Sequence, residues 1–156
     1  MKKHILVAFD DSENAKRAVN YLAEILNPDS HVTLLSIMLD TEALCNMNSP
    51  ELTPYFKSQQ SSFCVLEDKK KELLQNALDQ AKTALVDAGF KASNIRIKLN
   101  PKKHGIARDI LIEAQSGYDL LVMGRRGLSG IKDFFLGGVS QKVFSHAKDI
   151  SVLIVN

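Results

Sequence analysis

The chain has 156 residues, 45% apolar and 24% charged, which is the arithmetic of one ordinary domain able to bury about 70% of its unfolded surface. Twenty Lys and Arg against 18 Asp and Glu leave a net charge of +2, so no general nucleic-acid or membrane surface is expected. Cys45 and Cys64 have no CxxC and no neighbouring His; they are read as two free thiols in a reducing cytoplasm, with neither a zinc site nor a disulfide scaffold indicated.

Met1 to His4 lead into an apolar run too short for a signal peptide or a membrane span. Ile5 to Phe9 then form a nearly unbroken apolar segment stopped by Asp10-Asp11-Ser12, the pattern of a strand buried on both faces. Ser12 reads as an N-cap. Ala15, Ala18, Val19, Leu22, Ile25 and Leu26 follow at helical spacing until Asn27-Pro28-Asp29, and Val32 to Leu39 is a second apolar strand. Strand, helix and strand in this order make a βαβ unit with a right-handed crossover.

Between about residues 41 and 66 neither period is sustained, and the segment is expected to be a variable excursion or partly mobile loop. Helical spacing returns from Leu73 to Ala88, capped by Gly89, with Lys69-Lys70-Lys71 before it as solvated surface. Ile95, Ile97 and Leu99 alternate with Arg96 and Lys98, a strand with one wet face near a sheet edge. A helix from Ile106 to Ala114, a strand from Leu120 to Met123, a glycine-rich loop, a short helix over 139–147 and a last strand from Ser151 to Val155 complete the chain. The expected fold is a single α/β domain over 1–156: a doubly wound, five-stranded parallel sheet with helices on both faces.

In such sheets ligands bind outside the carboxyl ends of the strands, where strand order reverses. Two segments put unusual chemistry there: Ala8 to Ser12 after the first strand, and Met123 to Gly130 after the fourth, with Gly137-Gly138-Val139-Ser140 opening the last helix. The unpaired amides and positive dipole end of a helix N-terminus suit an anion. Gly137 and Gly138 would bring the amides of Gly138, Val139 and Ser140 to a phosphate, Ser140 would add a hydroxyl, and Gly124 and Gly127 would fold the preceding loop over it, with Arg125 or Arg126 as a cation. The competing reading gives each glycine only a positive φ in a tight turn.

The run Gly124-x2-Gly127-x9-Gly137 resembles the nucleotide-binding signature of the universal stress protein family. Val7 to Ser12, Asp119 to Gly124 and Gly138 to Val143 resemble its first strand, fourth strand and last helix, so the likeness covers nearly the whole chain outside residues 41–66. The resemblance implies a Rossmann-like, adenine nucleotide alpha hydrolase-like fold and a cytoplasmic, homodimeric stress-response regulator that binds ATP, with magnesium or manganese, and turns it over slowly or not at all. By position, Ala8, Phe9 and Asp10 would border adenosine, and Ile37 and Met123 would line its pocket. Gly124, Arg126, Gly127 and Gly130 would meet ribose and phosphates, and Gly137, Gly138, Val139 and Ser140 would hold the phosphates. Gly138 stands where the family most often has Ser or Thr, removing a hydroxyl bond worth about 1–2 kcal/mol, roughly tenfold in affinity.

A phospho-receiver domain lacks its Asp, because the third strand closes on Asn100-Pro101. No GxGxxG follows the first strand, no GxxxxGK[ST] occurs, and His4, His31, His104 and His146 assemble no hydrolytic triad. Asp11 reads as a turn residue and Lys142 as a solvated one. The second function class is a nucleotide-independent dimeric adaptor for an unknown regulatory protein. It would pair through the apolar edge strand 151–155, with Phe134 and Phe135 either adding to a partner surface or packing inside.

Overall fold

A computed structural model describes residues 2–127 and 136–156. Their elements run β1 (His4–Ala8), α1 (Glu13–Ile25), β2 (His31–Met38), α2 (Glu42–Cys45), α3 (Pro54–Asp87), a 3-10 turn (Ala92–Asn94), β3 (Ile95–Pro101), α4 (Ile106–Ala114), β4 (Leu120–Gly124), α5 (Gly138–His146) and β5 (Ser151–Val155). All pairings are parallel, in the order β3-β2-β1-β4-β5. This is the doubly wound sheet expected, with the reversal of strand order between β1 and β4.

Alternation along each strand divides the core into two layers. Ile5, Val7, Val32, Leu34 and Val122 face α1 and α3, meeting Leu22, Leu78 and Leu85. Leu6, Ala8, Leu35, Leu121 and Met123 face α4 and α5, meeting Ile110 and Val143. The central strand β1 is thus buried on both faces, which is why its sequence reads as a continuous apolar run. β3 is an edge, and its polar side is covered in part: Lys98 Nζ donates to Glu113 Oε1 on α4 at 2.5 Å, and Tyr118 Oη donates to the same oxygen at 2.9 Å. Burial raises the Glu113 pKa, but the Lys98 and Tyr118 hydrogen bonds outweigh it and hold the carboxyl below its ordinary value.

The local signals explain the helix ends. Ser12 Oγ accepts from the Ala15 amide at 3.1 Å, capping α1. Gly89 takes φ 100° behind α3, as a left-handed cap requires.

The excursion expected over 41–66 is instead α2 and the first part of α3. Thr53 Oγ1 accepts from the Phe56 amide at 3.2 Å with Pro54 in the first turn, so Thr53-Pro54, which reads as part of a loop, starts a 34-residue helix. Every buried residue of that helix lies from Ala77 onward. Its first half has no core to face, hence no apolar period to read.

The expectation of two free thiols is also overturned: Cys45 at the end of α2 and Cys64 in α3 form a disulfide. Gln60 Nε2, one turn from Cys64, donates to the Leu44 and Met47 carbonyls at 2.5 and 3.0 Å and lays the two helices together. The thiol argument for a reducing compartment goes with it. No helix among the described residues is long and apolar enough to cross a membrane.

Candidate functional site

A cavity of about 570 Å³ opens outside the carboxyl ends of β1, β2 and β4. Its apolar floor is built by Ala8, Leu35, Ile37 and Met123, with Phe9 buried beside them. The other end is polar and glycine-rich, formed by Asp10, Gly124, Arg126, Gly127, Gly137, Gly138, Val139 and Ser140. Every expected site residue among the described ones except Arg125 lines this one cavity; Gly130, Phe134 and Phe135 lie outside the described residues.

Hydrogen bonds hold the walls in register. Ser36 Oγ donates to the Phe9 carbonyl at 2.5 Å, pinning the turn after β1 to β2. Ser12 Oγ donates to the Arg126 carbonyl at 3.4 Å, and the Ser12 amide donates to Asp10 Oδ1 at 3.1 Å. The two strand-end loops thus meet across the switch point. Asp11 occupies φ 63° and sits 3.2 Å from Lys16 Nζ, a turn residue as expected.

The glycines serve a purpose neither reading contains in full. None of Gly124, Gly127, Gly137 and Gly138 has a positive φ, which removes the tight-turn explanation. A Cβ on Gly124 would lie 2.7 Å from the Asn14 backbone, one on Gly127 would collide with the Asp10 carboxylate, and one on Gly137 would stand 3.2 Å from Arg126 Cα. Gly124 is thus needed for two backbone segments to close on one another, a side chain at Gly137 would press on the Arg126 backbone, and one at Gly127 would have to displace the Asp10 carboxylate. Gly138 alone of the four faces open space, where a methyl group would meet nothing within 4 Å.

The N-cap of α5, Gly137, has no side chain and so gives no cap hydrogen bond to the first-turn amides, and the first turn lines the cavity's polar end. Ser140 differs from expectation. It is 3% exposed, and its Oγ donates to the Gly124 carbonyl at 2.8 Å, so its one proton is committed to the fold and not offered to a ligand. Of Arg125 and Arg126, the one at the cavity is Arg126.

Sequence reasoning misses the upper walls: Lys70, Leu73 and Leu74 from α3, and Ile106 and Ile110 from α4. Ile106 and Ile110 carry a signal in their four-residue spacing, but Lys70 is indistinguishable in sequence from its solvated lysine neighbours. It is exposed, yet it lines the mouth and pairs with Glu67 at 2.8 Å. The histidines stay apart from the cavity: His4 stacks on His31 at 4.9 Å, His104 Nδ1 lies 3.1 Å from Asp109, and His146 Nδ1 lies 2.8 Å from the Lys142 carbonyl. Lys142 is exposed.

A family profile described as "Universal stress protein family" matches residues 1–156. Universal stress protein YxiE of Bacillus subtilis is 31% identical over 156 residues, covering 99% of each chain. Universal stress protein UspA from Lactobacillus plantarum superposes with a TM-score of 0.72 at 22% identity, covering 99% of this chain and 97% of that one. A universal stress protein solved in complex with cAMP superposes with a TM-score of 0.63 at 22% identity, again covering 99% and 97%.

Proposed function

The chain belongs to the universal stress protein family, and from that premise we propose that it is a regulatory protein that binds ATP in the cavity between β1 and β4 without efficient turnover. The observation that carries this reading is the cavity itself: an apolar floor sized for a base, running into a glycine-rich end where the N-terminus of α5, with glycine at its cap, stands beside Arg126. The solved relative holding cAMP supports the adenine class of ligand.

In this reading adenine packs against Ile37 and Met123, Asp10 hydrogen-bonds the adenosine, and the phosphates lie over the amides of Gly138, Val139 and Ser140. Magnesium or manganese would neutralise phosphate charge beside Asp10. Among the described residues no group of three or more His, Cys, Asp and Glu side chains is gathered to hold a metal alone. A turnover above about 1 s⁻¹, within the ordinary enzyme range, would replace a binding protein with an ATPase.

The test is to denature protein purified without added nucleotide and identify what is released by chromatography and mass spectrometry. Near-stoichiometric ATP from the parent, and none from a folded Gly127→Ala, Gly137→Ala variant, is the expected result. An empty parent that also ignores millimolar ATP–Mg in calorimetry overturns it. The second reading, a dimeric adaptor, is favoured by β5, an edge strand whose apolar residues remain partly exposed. Pairing with its copy would cover that edge, and deletion of the last five residues should convert a dimer to monomer or aggregate on light scattering; an unchanged dimer excludes this interface.

A further inference from the structure

The disulfide joins two walls of one cavity. Met38, at the end of β2, lines the cavity, and Cys45 follows it by seven residues. Cys64 precedes Lys70 by six residues, and Lys70, Leu73 and Leu74 line the cavity from α3. Through the sulfurs the β2 wall and the α3 wall are therefore linked by a short covalent strap; without them the covalent path runs through the whole intervening segment, and the two Gln60 hydrogen bonds are what remains to hold α3 to the α2 segment.

That strap matters because of where α3 lacks other support. Leu74 packs against the core and Ala77 is the first buried residue, so the helix before them, Lys70 included, has no core beneath it and is laid against the α2 segment by Gln60 and the disulfide. Cys45 and Cys64 are both partly exposed, so a dissolved thiol can reach them.

We infer that the Cys45–Cys64 disulfide is a redox latch on the cavity: oxidised, it holds the overhanging half of α3, and with it Lys70 at the cavity mouth, in place at the nucleotide site, and reduced, it releases that part of the wall and weakens binding. The reductant is a low-molecular-weight thiol. Its thiolate attacks one protein sulfur and forms a mixed disulfide while the other leaves as thiolate. A second thiol then displaces the first as a small-molecule disulfide, and two electrons and two protons end on Cys45 and Cys64. The weakening follows because a mobile wall must be ordered by the ligand, and that ordering is subtracted from affinity. The inference rests on the proposed nucleotide reading for its ligand, but not for the latch itself.

The experiment titrates ATP–Mg by calorimetry into air-oxidised protein, protein reduced with dithiothreitol, and a Cys45→Ser, Cys64→Ser variant, alongside hydrogen exchange of all three without nucleotide. Affinity at least about fivefold weaker in the reduced and the double-Ser forms, with no further effect of reductant on the latter, is the expected result. Equal or tighter binding on reduction overturns the latch, as do two alkylatable thiols in the air-oxidised protein. If no form binds ATP, it is the proposed ligand that fails, and exchange decides the latch. Faster exchange over residues 54–74 on reduction sustains it; unchanged exchange sinks it.

Discussion

The two halves of α3 share one backbone and almost nothing else. From Ala77 to Leu85 the helix sets Ala77, Leu78, Ala81 and Leu85 into the core against α1 and the sheet, and its position is fixed by burial. From Pro54 to Glu72 no residue is buried, Tyr55 is 75% exposed, and position is fixed by a cap at Thr53, the Gln60 amide and the disulfide. A continuous helix can thus be two mechanical objects, one held by hydrophobic packing along its length and one held at discrete points. The second kind is the kind a chemical event can release.

The contrast should be plainest when the same side chain is cut from each half. Leu78→Ala removes a fully buried residue and should lower unfolding free energy by about 2–5 kcal/mol in denaturant titrations. Breaking the disulfide, which spans 19 residues, should lower it by at most about 3 kcal/mol, with the loss of exchange protection confined to the overhanging half and α2. A drop that melts the sheet as well would mean the halves are coupled more tightly than their burial indicates.

On the opposite face, Glu113→Gln should cost about 1 kcal/mol by weakening the Lys98 and Tyr118 contacts. The sign of its pH dependence follows from the lowered folded pKa of Glu113. The contribution is complete above the unfolded value of about 4.3 and is lost as pH falls through the folded one. The raised pKa of Lys98, due first to its hydrogen bond with Glu113, makes the same pair fade again as pH rises through the folded value. In the variant, the acid-side difference from the parent should vanish. Leu66→Ala closes the series: at 54% exposure in the overhang, it should change stability by no more than about 0.5 kcal/mol. A cost as large as that of Leu78→Ala would reveal a partner on that face.

Legibility in the sequence follows the same division. Strands β1 and β4, the Ser12 cap, the edge position of β3 and the glycine segments at the strand ends can be read because burial and turn chemistry write themselves into local pattern. Residues 54–72 cannot, since a helix with no core beneath it leaves no period, and its start at Thr53-Pro54 looks like any turn. The Cys45–Cys64 pairing is hidden for the same reason: only the helical register of α3 brings two distant cysteines together. Lys70 is lost as a cavity residue with that register. Ser140 is placed correctly but credited with a free hydroxyl, because nothing in the sequence shows that the Gly124 carbonyl takes its proton.

The order of the strands also sets how a bound molecule would leave. The cavity floor rests on β1, β2 and β4, interior strands that open only with the whole domain, whereas on the side toward α3 Lys70 stands on a stretch of helix with no buried residue. On the proposed reading escape would not have to wait for unfolding: a ligand would leave as the α3 side swings clear, and a change there would alter its dissociation rate more than the melting temperature.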